Sequence, residues 1–148
     1  MKKISMALVS FFFTCGLYAQ EPVEWAFFTK KLNDGAYEIH LAATIDKGWF
    51  ICSQFSSKHG LAPTEIKISE TGNAKLSGRF DEIGVLQKRK IADNNARLQV
   101  FENQVEFAQK ASVPDLQKGN VKGTISFVAS DGVHTLPGKT VKFTLVLN

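Results

Sequence analysis

Cysteine is scarce: the chain has two, Cys15 and Cys52. The first lies in an N-terminal stretch with the character of a removable leader, so a processed chain keeps a single thiol and cannot form an internal disulfide. Long apolar runs are also missing. After residue 20 none approaches the ~20 residues that a membrane-crossing helix needs, so no transmembrane segment is expected once the leader is gone. Charge of one sign is weak too, because the formal net of +4 falls to +2 when Lys2 and Lys3 leave. The remaining basic residues are scattered, "QKRK" at 87–90 being their one cluster. A nucleic-acid surface requires a basic stripe or patch, so that class is set aside and the cluster reads as a solvated strand end.

Motifs of the common chemistries are absent as well. No G-x-S-x-G elbow occurs, which removes the usual setting of a serine nucleophile. His40, His59 and His134 stand far apart, without the H-x-H or H-E-x-x-H spacing of a metal site. No metal and no cofactor are expected, and His40 and His59 read as surface histidines. Ser130, Asp131 and His134 share one loop, but a hydrolytic triad is assembled by geometry and needs an oxyanion hole. Turn formation explains these residues more simply, since Ser and Asp bond nearby backbone and Gly132 accepts positive φ.

What is present begins with the leader. Lys2 and Lys3 precede an apolar run from Ile4 to Leu17, and "LYA" before Gln20 resembles a small-residue cleavage site. Residues 1–19 are therefore expected to be a signal peptide, and the product periplasmic or secreted. A lipid anchor at Cys15 is not expected, because "FFTC" lacks the aliphatic residue three positions before and the small residue just before. Removing nineteen of 148 residues leaves 129, a single-domain length able to bury its own core. Residues 20–148 are expected to form that one domain.

Alternation of apolar and polar residues runs through it. Tyr37, Ile39, Leu41, Ala43 and Ile45 alternate with Glu38, His40, Ala42 and Thr44, and similar patterns recur at 104–113, 121–129 and 139–147. Turn signals such as "NDG", "DKG", "ETGN", "QKGN" and "SDG" separate the runs. The pattern predicts about nine strands, near 22–31, 36–45, 49–53, 64–69, 74–80, 97–101, 104–113, 121–129 and 139–147, in an all-β sandwich or barrel. "EWAFF" puts Trp25 and Phe27 on one face and Phe28 on the other. Either both faces are covered, or an exposed aromatic awaits a partner. Cys52, inside the apolar "GWFICSQF", reads as a buried free thiol.

Several segments carry a family resemblance. "PVEWAFFTKKLNDGAYEIHLAATIDKGWFICSQ", "PTEIKI", "VFENQVEFAQKASV", "VKGTISFV" and "LPGKTVKFTLVL", in that order, resemble the N-terminal periplasmic domain of DsbD, the thiol:disulfide interchange protein. The resemblance implies an immunoglobulin-like β-sandwich. It also implies two cysteines in the loop before Leu136-Pro137, which in the family cycle between dithiol and disulfide and pass electrons to thioredoxin-like partners. The matching positions here hold Ser130 and Thr135. Thiol-disulfide exchange proceeds by thiolate attack through a mixed disulfide, which a hydroxyl cannot form, so no catalytic residue is carried over. The family's aromatic-bearing cap loop corresponds to "ADNNAR", Ala92 to Arg97, which has no aromatic.

The expectation is therefore a redox-inactive protein-binding module. Its binding loop would comprise Asp131, Gly132, His134, Leu136 and Pro137 with the neighbouring Asp93, Asn94 and Asn95, and its partner would be a thioredoxin-fold or other envelope protein. Two alternatives stay open. Residual exchange through Cys52 would require an accessible thiol of depressed pKa. An envelope module binding glycan or protein would show an exposed apolar patch of several hundred Å².

Overall fold

The computed structural model describes residues 21–33, 35–58, 60–90, 97–114 and 117–148. The leader with Cys15, His59, and Asp93, Asn94 and Asn95 lie outside the described residues. Among those described, the chain is all β. It forms β1 (Val23–Asn33), β2 (Ala36–Ile45), β3 (Phe50–Cys52), β4 (Glu65–Glu70), β5 (Lys75–Ile83), β6 (Leu86–Lys90), β7 (Arg97–Glu102), β8 (Gln104–Ser112), β9 (Gly119–Phe127), β10 (Ala129–Ser130) and β11 (Lys139–Leu147).

The strands make three antiparallel sheets, ordered β1-β2-β8-β5, β10-β3-β7-β6 and β11-β9-β4. The expected alternation decides which residues face inward. Ile39, Leu41, Phe107, Ile51, Val121 and Ile125, drawn from all three sheets, are fully buried in one core cluster. Aromatic contacts join the layers: Trp25 of β1 meets Phe127 of β9 with centroids 5.4 Å apart, and Phe27 meets Phe143 of β11 at the same distance. The architecture is an immunoglobulin-like β-sandwich.

Two strands go beyond the nine expected. The stretch expected as one strand over 121–129 is divided at Val128: β9 pairs with β11 and β4, and β10 pairs with β3. The chain thus crosses from one sheet to another at that residue. The second addition is β6, where "QKRK" forms a strand along β7 rather than a mere strand end. Its residues do not alternate in hydropathy, so only pairing with β7 makes it β.

His40 differs from expectation as well. It lies on the polar face of β2, yet it is 6% exposed. Phe28, its cross-strand neighbour on β1, stacks on the imidazole with centroids 4.8 Å apart and planes 3° apart. One ring nitrogen contacts Glu106, and the other lies 2.8 Å from Glu38. This resolves the "EWAFF" alternatives: Trp25 and Phe27 pack inward, and the half-exposed Phe28 roofs a histidine held between two carboxylates.

Candidate functional site

The loop following β10 is built on a two-residue strand, and its geometry follows from which backbone groups point where. Ser53 N–H donates to the Gln99 carbonyl at 2.9 Å, so on β3 residues 51 and 53 bond toward β7. Phe50 and Cys52 then point their backbone groups toward β10, where Phe50 pairs with Ser130. Beyond Ser130 the chain turns back. Asp131 N–H donates to the His134 carbonyl at 3.1 Å and Leu136 N–H to the Ala129 carbonyl at 3.0 Å. These bonds flank Ser130 and Thr135, which face each other across an isolated antiparallel bridge as a non-hydrogen-bonded pair. In such pairs side chains come closest, and the two hydroxyl oxygens are 3.1 Å apart.

The turn between them satisfies itself. Ser130 Oγ donates to the His134 carbonyl at 3.0 Å and accepts the Gly132 N–H at 3.1 Å. Asp131 Oδ1 accepts the N–H groups of Val133 and His134 at 2.8 and 2.5 Å, and Oδ2 contacts His134 Nδ1 at 3.1 Å. Those backbone donors hold the Asp131 carboxyl down at about 2. Gly132, with φ of 92°, supplies the left-handed backbone that a side chain would resist. Ser130 is buried at 2% exposure, while Val133 at the tip is 85% exposed.

The face of β3 carrying Phe50 points away from the main core and has a small apolar cluster of its own, formed by Phe50, Cys52, Leu98 and Val100 with Leu61 over it. Cys52 has no exposed surface, and burial pushes its thiol up to about 11 against a partial offset from Ser56. Arg89 of β6 crosses this face. Its guanidinium lies 4.6 Å from the Phe50 ring centre, and its Nε donates to Glu102 at 2.9 Å. It also comes within reach of Gly132, where an added Cβ would sit 3.5 Å from an Arg89 nitrogen. Arg89 thus reaches from the edge strand to beside the candidate loop, a placement that the run "QKRK" does not reveal.

On the opposite side of the loop, Pro22, Val23, Phe127, Ala129, Leu136 and Pro137 line an apolar groove of about 380 Å³. Lys139 and Glu21, also in the lining, form an ion pair of 2.6 Å. Leu136 and Pro137 therefore form a groove wall, whereas Asp131, Gly132 and His134 form the turn. Among the described residues, no group of three or more His, Cys, Asp or Glu side chains is placed to hold a metal ion. No helix among them is long and apolar enough to cross a membrane.

No family model and no curated protein matches the chain. Solved structures do. The N-terminal periplasmic domain of ScsB from Proteus mirabilis is similar over 86% of this chain, with 17% identity and a TM-score of 0.57. The chain spans about half of that domain's length, 47%. The N-terminal domain of Neisseria meningitidis DsbD in its reduced form is similar over 82% of this chain and 85% of its own, with 12% identity and a TM-score of 0.45. The yeast GGA1 GAE domain is similar over 89% of this chain and 96% of its own, with 10% identity and a TM-score of 0.48. At these identities the likeness to ScsB is one of fold.

Proposed function

We propose that the chain is an exported, redox-inactive relative of the DsbD N-terminal domain, delivered by a leader over residues 1–19, and that it binds a thioredoxin-fold protein of the cell envelope through the 131–137 loop. The observation that carries the reading is the Ser130–Thr135 bridge. These two positions, matched to the family's cysteine pair by sequence, face each other 3.1 Å apart at the hydroxyls, in a loop whose tip is free for contact. The geometry suits a redox pair, and the atoms do not. A hydroxyl neither attacks a disulfide at sulfur nor stores electrons as a cross-link, so recognition is what the loop retains.

Relay through Cys52 meets neither of its requirements, since the thiol is buried and raised rather than exposed and depressed. Of the exposed aromatics, Phe28 stacks on His40 and Phe55 lies against Arg79.

The test is an NMR titration of the isotope-labelled domain, residues 20–148, with a purified thioredoxin-fold protein. Shift changes are expected at Gly132 to Gly138, and Val133→Glu with Leu136→Glu is expected to abolish them. Changes confined to other loops, or none at millimolar partner, would sink the proposal.

A further inference from the structure

We infer that the free edge of β6 is a docking site for an extended, acidic segment of another protein, which adds to the sheet as a strand. This goes beyond the loop reading and does not depend on it. Among the described residues, β6 is the last strand of its sheet, with β7 as its one neighbour. The backbone polarity of β7 decides what β6 offers on its other side. Gln99 directs its carbonyl to Ser53 N–H and its N–H to Ser56 Oγ, both on the β3 side. Leu98 and Val100 therefore bond toward β6, where their register partners are Arg89 and Gln87. The N–H and C=O groups of Leu86, Lys88 and Lys90 consequently point outward, where no strand among the described residues pairs with them, a ladder edge of the kind that accepts another strand.

The side chains specify the occupant. Lys88 and Lys90 are exposed and share a face with Leu86, which is 46% exposed, while the preceding Val85 is 76% exposed. Lys90 lies directly opposite Arg97 in the register, and like charges in that arrangement repel. Arg89 is the exception in the run, its charge already engaged by Glu102. Lysines on an edge keep other strands away, but selectively. They reject a basic strand, including a second copy of β6, and favour one with carboxylates beside Lys88 and Lys90. Leu86 adds apolar contact at the end of the lysine face, and Val85, one residue earlier, takes the alternate face, so the fitting partner sets acidic residues against Lys88 and Lys90 and apolar residues on its other face.

The experiment titrates the labelled domain, residues 20–148, with a short capped peptide alternating Glu and Val, and with a Lys/Val peptide as control. Binding of the Glu/Val peptide is expected, weakening as salt rises. Amide exchange should slow at Lys88 and Lys90 and stay unchanged at Gln87 and Arg89, whose N–H groups already bond β7. Lys88→Glu with Lys90→Glu is expected to weaken binding about tenfold or more, roughly the effect of two lost charge contacts. Lys88→Pro removes an outward donor without touching the ladder to β7, a tolerated position for proline, and is expected to abolish binding while preserving the melting temperature. Val133→Glu with Leu136→Glu should leave peptide binding intact, which separates this site from the loop. No binding, equal binding of the Lys/Val peptide, or protection that survives Lys88→Pro would overturn the inference.

Discussion

Cys52 shows how position sets the chemistry of a side chain. A thiol reacts as its thiolate, and the apolar shell of Phe50, Leu98 and Val100 disfavours that charge, raising the group from 9.0 to about 11. Below pH 9 the thiol is neutral in both folded and unfolded chains and adds no pH dependence. Between pH 9 and 11 the unfolded chain loses its proton first, so stability falls as pH rises, by about 2 kcal/mol at pH 10.5. Denaturant unfolding of wild type and Cys52→Ala at pH 8 and 10.5 checks this. Wild type should lose about 2 kcal/mol more than the variant over that interval, and an equal loss in both would refute the argument. Burial of Cys52 was legible in the sequence because it lies inside an apolar run. Burial of His40 was not: its roof is Phe28 on a different strand, and period-two alternation records which face a residue takes, not what covers that face.

At the scale of the element, the β10 hairpin brings Ser130 and Thr135 together as a non-hydrogen-bonded pair. A non-hydrogen-bonded antiparallel pair has Cα atoms ~4.5 Å apart, within the 4.4–6.8 Å or so that disulfides span. Ser130→Cys with Thr135→Cys should therefore oxidise in air without distorting the sheet. Closing a loop of roughly six residues stabilises by about 2 kcal/mol in the chain-entropy description. Mass loss of two hydrogens and a higher melting point in the oxidised form, reversed by reductant, are the expected results. Failure to cross-link would show that the pair is held too far apart for a redox site. That Ser130 and Thr135 share one turn was legible from the "SDG" between them; that they face each other across a bridge was not. The placement of Arg89 was not legible, because its partners Glu102 and Phe50 come from two other segments. Likewise β6 lacks the alternation that marks a strand, and takes its form from β7.

For the whole molecule, the question is how far the rim loop depends on the core. Gly123 of β9 is hemmed in by both neighbours in its own sheet: an added Cβ would lie 2.5 Å from the Lys67 carbonyl oxygen and 2.6 Å from the Phe143 ring. The first contact is backbone of the neighbouring β4, and the second ring packs on Phe27 of the facing sheet. Gly123→Ala must therefore part β9 from β4 or turn Phe143 away from Phe27, an overpacking strain of about 1–3 kcal/mol. The denaturant midpoint should fall with an unchanged slope. Phe143→Leu, combined with Gly123→Ala, should recover part of the loss as a positive coupling between neighbours. The turn at 131–134 carries its own bonds through Ser130 and Asp131. Its amide shifts in Gly123→Ala should match wild type wherever the chain is folded. Shifts at Val133 and His134 that moved with core strain would mean that the loop is shaped by the core rather than by its own residues, and a partner reading that loop would then sense the packing of the whole sandwich.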